Sequence, residues 1–225
     1  MKNLIRKKQL FSGFALLGAL TLPSTTAFAH PHVFIEANLE LHRDDDGNAK
    51  ELRHVWKFDE IFSSSIVLDF DKNGDDALSV EELDEVASTI KTNLKDFEYF
   101  TFAKLNDAEV KLELPKHFFA DYQDGQLILI AAMDFKKPHV IKGQKFSVAV
   151  SDPSYYVAVE FMDEKSIEIS GGKNAGACTS EIERPDFDAL YEQSPEVFLK
   201  DFEGSEDPDV FNSDDYLTWM HFSCA

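Results

Sequence analysis

Basic side chains are scarce. Lys and Arg number 22 against 42 Asp and Glu, a formal net charge of −20 at pH 7. Nucleic acid and anionic lipid both require a positive surface, so this balance excludes them as partners and suits cations or solubility instead. Cysteine is nearly absent, with only Cys178 and Cys224, and their spacing is not the Cys-x-x-Cys of soft metal or redox motifs. No Gly-x-Ser-x-Gly, His-Glu-x-x-His or phosphate-binding glycine loop occurs. With no such signature, the chain is expected not to be an enzyme. Internal repeats and low-complexity tracts are missing too. Beyond the first 29 residues no apolar run approaches the length of a membrane span.

What the chain does have begins at its N-terminus. Lys2, Arg6, Lys7 and Lys8 precede an apolar run over residues 10–22, and Ala27-Phe28-Ala29 has the small-x-small form of a signal-peptidase site. Residues 1–29 therefore read as a signal peptide cut after Ala29, and residues 30–225 as an exported, periplasmic α+β domain. The leader holds four of the basic residues and none of the acidic ones, which leaves 18 against 42. The mature chain would begin His30-Pro31-His32, with an α-amine and two imidazoles close together. Neutral imidazole is the commonest metal ligand, and the α-amine is partly deprotonated near neutral pH. Pro31 has no N–H, so the square-planar chelate through amine and second-residue amide is ruled out. His30 would chelate through amine and ring, with His32, His54 or His139 completing the shell around zinc or nickel. Imidazole suits zinc, nickel and cobalt alike.

Val33, Ile35, Ala37, Leu39 and Leu41 alternate with Phe34, Glu36, Asn38 and Glu40, the period of a half-buried strand. Asp44-Asp45-Asp46-Gly47-Asn48 is turn chemistry, and a second strand is predicted over Ala49–Phe58, with His54 either at the core edge or facing the terminus. Residues 59–95 read as an EF-hand-like helix–loop–helix. The twelve places of residues 71–82 put oxygen ligands at Asp71, Asn73, Asp75, Ser79 and Glu82, with the carbonyl of Ala77 at the seventh. The sixth place, where glycine normally makes the sharp turn, is Asp76, which must adopt a left-handed conformation for calcium to be held.

Residues 98–170 are predicted to be rich in strands: 110–114, a hairpin of 117–122 with 126–135, then 145–150, 155–161 and 166–170. The fold class is thus α+β, mostly antiparallel β with the inserted helical segment. Residues 171–176 read as a flexible link, and residues 185–191 and 195–199 as short helices. In an oxidising compartment an even pair of cysteines reads as a disulfide, Cys178 to Cys224.

The chain resembles a bacterial family of exported proteins of unknown function. The resemblance rests on His30-Pro31-His32-Val33-Phe34, Trp56-Lys57-Phe58-Asp59-Glu60 with Phe62-Ser63, the loop of residues 71–82, Asp152-Pro153-Ser154-Tyr155-Tyr156, and the late Cys224. Members of that family are described as the periplasmic component of an uncharacterised transport system, and their genes often lie beside nickel/cobalt-type permeases. The resemblance implies a metal-binding accessory to divalent transition-metal transport, working with an inner-membrane permease. Two other readings remain open: a calcium-stabilised interaction protein, and a copper enzyme using the N-terminal histidine chelate. Asp59 and Glu60 are further candidates for the metal shell, while His42, His117 and His221 have no supporting context.

Overall fold

A computed structural model describes residues 31–154, 156–173, 176–193 and 214–225. The predicted leader, His30, Tyr155 and the predicted helix at 195–199 lie outside the described residues. β1 (Val33–Arg43) forms where the alternation is cleanest, with Val33, Ile35, Ala37, Leu39 and Leu41 all buried. Asp44 closes the following turn by accepting from the backbone N–H groups of Asp46 and Asn48 and from the Asn48 amide. β2 (Ala49–Phe58) then returns antiparallel to β1.

Asp59 stops β2 and caps α1 (Glu60–Phe70), its Oδ1 accepting from the N–H groups of Ile61 and Phe62. α2 (Val80–Asn93) starts on a reciprocal capping box between Ser79 and Glu82. The strands that follow are β3 (Thr101–Leu105), β4 (Ala108–Glu109), β5 (His117–Gln123), β6 (Gln126–His139), β7 (Phe146–Val150), β8 (Val157–Glu160), β9 (Ile167–Gly171) and β10 (Cys178–Glu183). A short helix, α3 (Phe187–Gln193), and β11 (Trp219–Cys224) complete the described α-helices and strands, beside 3-10 turns at Leu94–Phe100, Glu164–Ser166 and Asp214–Tyr216.

The strands form two sheets. One has the order β5-β6-β2-β1-β8, with β9 pairing further along β1; the other is β10-β11-β7-β3-β4. β8 and β9 run parallel to β1, and the remaining pairs are antiparallel. Side chains from both sheets and both long helices share one buried cluster. Trp56 stacks on Phe100 at 6.2 Å and Phe135 meets Phe146 edge-on at 5.7 Å, which joins the inner faces. Burying each such ring stabilises by roughly 1.5–3 kcal/mol. The class is α+β with β dominant.

Two expectations need correction. Residues 110–114 alternate like a strand but cross from one sheet to the other. The Val110 N–H donates to the Ala103 carbonyl, while Glu113 and Lys116 donate to Asp134 and Ala132 on β6. The strands predicted at 145–150 and 155–161 are present as β7 and β8, and they belong to different sheets. Gly171 is not in a free link: it ends β9, and at φ +73° a Cβ there would collide with the Arg43 backbone.

Candidate functional site

Three of the sequence pieces singled out above meet where β1 begins. The Phe34 N–H donates to Asp59 Oδ2 at 2.9 Å, and the Asp59 N–H donates to the Phe34 carbonyl at 2.9 Å. On the other edge, the N–H groups of His32 and Val33 donate to the Tyr156 carbonyl at 2.9 and 3.2 Å. Tyr156 is held there by Asp152, only 3% exposed, whose carboxylate accepts from the N–H and hydroxyl of Ser154 and from the Val157 N–H. Its ring lies 4.9 Å from that of His32. His32, Phe34 and Tyr156 are all exposed at this corner.

The motif following Trp56 has a structural reading at nearly every position. Trp56 and Phe58 are buried, Phe58 stacks on Phe62 at 5.0 Å, and buried Ser63 accepts from the Leu127 N–H at 2.9 Å, tying α1 to β6. Asp59 accepts three backbone N–H groups, so its oxygens are spent on the cap and on β1. Glu60 is exposed in the first turn of α1.

The candidate histidines do not share one place. His54 pairs with Leu39, roughly 23 Å of strand from His32 at about 3.3 Å per residue. It also lies on the inner face, 1% exposed, and burial brings its imidazole down to about 4. His139 pairs with Ala49 near the far end of β1 and meets Phe135 edge-on at 5.6 Å. Burial, with the charge of Lys137, lowers its pKa. Among the described residues no group of three or more His, Cys, Asp or Glu side chains is close enough to hold a metal ion.

In the loop between α1 and α2, the Asp71 carboxylate accepts from the N–H groups of Gly74, Asp75 and Asp76. Asp76 takes φ +61°. The Glu82 carboxylate accepts from the N–H groups of Ser79 and Lys72, both at 2.8 Å, which joins the two ends of the loop. Those N–H groups hold its pKa below the ordinary carboxylate value. Cys178 and Cys224 face each other across β10 and β11 and are joined as a disulfide.

Sequence reasoning missed two histidines with defined partners. His42 Nδ1 lies 2.8 Å from the Ser170 hydroxyl. His221 lies between the Ser147 hydroxyl at 2.8 Å and Glu183 at 2.6 Å. That second line has the order nucleophile, base, acid, but its exposure is reversed. Ser147 is 4% exposed while the Glu183 side chain is 69% exposed; a working triad buries the acid and presents the hydroxyl. Alternation alone puts these residues on outer faces, and only the strand order brings their partners to them.

No helix among the described residues is long and apolar enough to cross a membrane. No solved structure matches the chain. It is similar to an uncharacterised protein of Haemophilus influenzae, 25% identical over 193 residues that cover 85% of this chain and 87% of the relative. The model of a family described as "protein of unknown function", DUF1007, matches residues 15–214.

Proposed function

The chain belongs to the DUF1007 family of proteins of unknown function, and from that premise we propose that it is an exported metal-binding accessory of a divalent transition-metal transport system. Its metal, zinc, nickel or cobalt, would be held by the mature N-terminus through the His30 amine and ring together with His32. One observation carries the reading: the backbone from His32 to Phe34 is fixed from both sides, by Asp59 and by the turn that Asp152 builds. A chelate that includes His32 on a backbone fixed in this way loses less conformational freedom at that ligand than one on a free tail. His54 and His139 lie too far away to share that shell, so the remaining positions fall to exposed neighbours, to water or to the permease. The acidic surface draws cations toward the protein.

Metal analysis of protein purified from the periplasm, with the mature terminus read by mass spectrometry, tests the proposal. Near-stoichiometric zinc, nickel or cobalt on a chain starting at His30 is expected. An apo chain, or one starting elsewhere, would sink it.

A second reading, calcium in an EF-hand-like loop of residues 71–82, has its own support. Asp76 takes the left-handed conformation that the sixth place demands. Asp71, Asn73, Asp75, Ser79, Glu82 and the Ala77 carbonyl would hold the ion, with Glu82 exchanging backbone N–H groups for calcium. Calcium should then raise the unfolding temperature by mass action, and Glu82→Gln should abolish the rise.

A further inference from the structure

Arg43 ends β1 with a buried cation that lacks a counter-charge. The residue is 8% exposed, and a guanidinium is always charged. Its Nη1 donates to the Gly176 carbonyl at 3.1 Å and meets Cys178 Sγ at 2.9 Å, while Nη2 reaches the Gly171 carbonyl at 3.4 Å. All three partners are neutral. Nε is buried with no partner among the described residues, and no carboxylate among them pairs with this side chain. Buried charges are ordinarily paired, because an uncompensated one is costly. Arg43 instead meets one sulfur of a disulfide.

The surroundings keep the guanidinium on that sulfur. A Cβ on Gly172 would lie 2.8 Å from Arg43 Cζ and push the group aside, so glycine keeps the place open. The two cysteines are also held independently of their own bond. They face each other in a ladder of six residue pairs that runs on to Glu183 and Trp219. The Ala225 N–H donates to the Ala177 carbonyl at 3.1 Å, and the Gly143 N–H donates to the Cys224 carbonyl at 3.1 Å. Breaking the S–S bond therefore leaves both sulfurs side by side, with Arg43 still against one of them. β10 is an edge strand of its sheet and both cysteines are half-buried, so an outside thiol can reach the pair.

We propose that Cys178–Cys224 is a redox-active disulfide that exchanges with a dithiol, and that Arg43 makes Cys178 its leaving group. A thiolate of the dithiol attacks Cys224 Sγ, a mixed disulfide forms, and the Cys178–Cys224 bond breaks. Cys178 leaves with the electron pair as a thiolate and supplies the charge that Arg43 lacks. The second thiol of the dithiol then attacks its own first sulfur, and Cys224 leaves with that thiol's proton. The dithiol is oxidised to its disulfide by two electrons. The cysteine pair is reduced to one thiolate and one thiol, and one proton goes to solvent. A cation beside a thiol favours the thiolate, and stabilising the reduced form makes the disulfide a stronger oxidant. This site lies at the end of β1 away from His32 and does not rest on metal binding.

The test begins with the unmodified protein in millimolar glutathione buffers, trapped with acid, alkylated and read by mass. The pair should become reduced with the chain still folded, whereas a structural disulfide resists the glutathione pool. The reduced protein is then pulsed with iodoacetamide across a pH series without oxygen, and peptide mapping follows each cysteine. The rate at Cys178 should reach its midpoint at least about one pH unit below the rate at Cys224. Arg43→Gln should bring the two midpoints together and make the pair roughly tenfold harder to reduce by glutathione. If that variant does not fold, the two midpoints in the unmodified chain decide alone. A pair that stays oxidised in millimolar glutathione, that unfolds the chain when reduced, or whose sulfurs share one midpoint overturns the proposal.

Discussion

The two ends of β1 are both fixed, but by opposite means. At Arg43 both terminal guanidinium nitrogens are used internally. The side chain is buried, and its Nη1 donates to the Gly176 carbonyl at 3.1 Å and contacts Cys178 Sγ at 2.9 Å, while Nη2 reaches the Gly171 carbonyl at 3.4 Å. Gly172 leaves no room for a Cβ beside the guanidinium, and the disulfide ties the C-terminal strand to the same corner. At Val33 the backbone is held as firmly, yet by groups that leave His32 and Tyr156 exposed. One end spends its polar chemistry on the fold, whereas the other fixes the backbone and keeps its side chains available. Rigidity alone therefore does not mark a site; the proposal rests on rigidity joined to exposed side chains.

Breaking the closed end should have the largest effect. Replacing both Cys178 and Cys224 by Ser opens a link between residues 46 apart. It should cost roughly 3–4 kcal/mol in denaturant unfolding on the chain-entropy estimate. Metal affinity at the open end should be unchanged. Equal loss of both would mean that the two ends are not independent.

Acid should act between the ends, through His54. Folding depresses its pKa from 6.5 to about 4. The unfolded chain therefore gains a proton near pH 6.5 that the folded chain refuses until about pH 4. Stability should fall across that window, by roughly 3 kcal/mol, and level off below it. Burial alone would raise the Glu51 carboxyl, but hydrogen bonds and charge from Lys116 and Arg53 outweigh it and bring it to about 2. A second loss should follow as pH falls from about 4.5 toward 2. In His54→Leu most of the first fall should go, leaving the part that the lowered pKa of His139 contributes, while the second persists; unfolding curves at pH 7, 5 and 3 separate them.

Asp59→Ala should be milder. Losing an N-cap costs roughly 1–2 kcal/mol, and here it also releases the Phe34 N–H. Amide exchange should quicken at Phe34 and in the first turn of α1, with no change near Arg43. On the proposed function, metal affinity should fall by several-fold because the start of β1, which carries His32, is less well held. Unchanged exchange at Phe34 would show that Tyr156 alone fixes the strand.

Much of this architecture could be read from local pattern. The alternation of β1, the turn at Asp44, the hairpin of β5 with β6 and the pairing of the cysteines all follow from chemistry within a few residues or from a simple count. What could not be read depends on strand order. Nothing local says that β7 and β8 part company at Ser151, that residues 110–114 bridge two sheets, or that Ser147 and Glu183 will flank His221. His54 shared a face with Leu52, Trp56 and Phe58, which fits a core position as well as a ligand, and the second sheet decides for the core. The left-handed run at residues 98–100 contains no glycine to announce it. Asp59 reads as a candidate ligand because it follows the strand carrying His54; two of its backbone partners belong to the cap of α1, and the third, Phe34, becomes visible only once β1 lies beside it.

The most direct test of the open-end account is titration calorimetry of zinc and nickel into the protein beginning at His30, beside a version carrying one extra residue before it. Binding to the first, at least tenfold weaker binding to the second with the fold intact, and further weakening by His32→Ala are expected. No binding of zinc, nickel or cobalt below millimolar to the correctly processed chain would contradict the account.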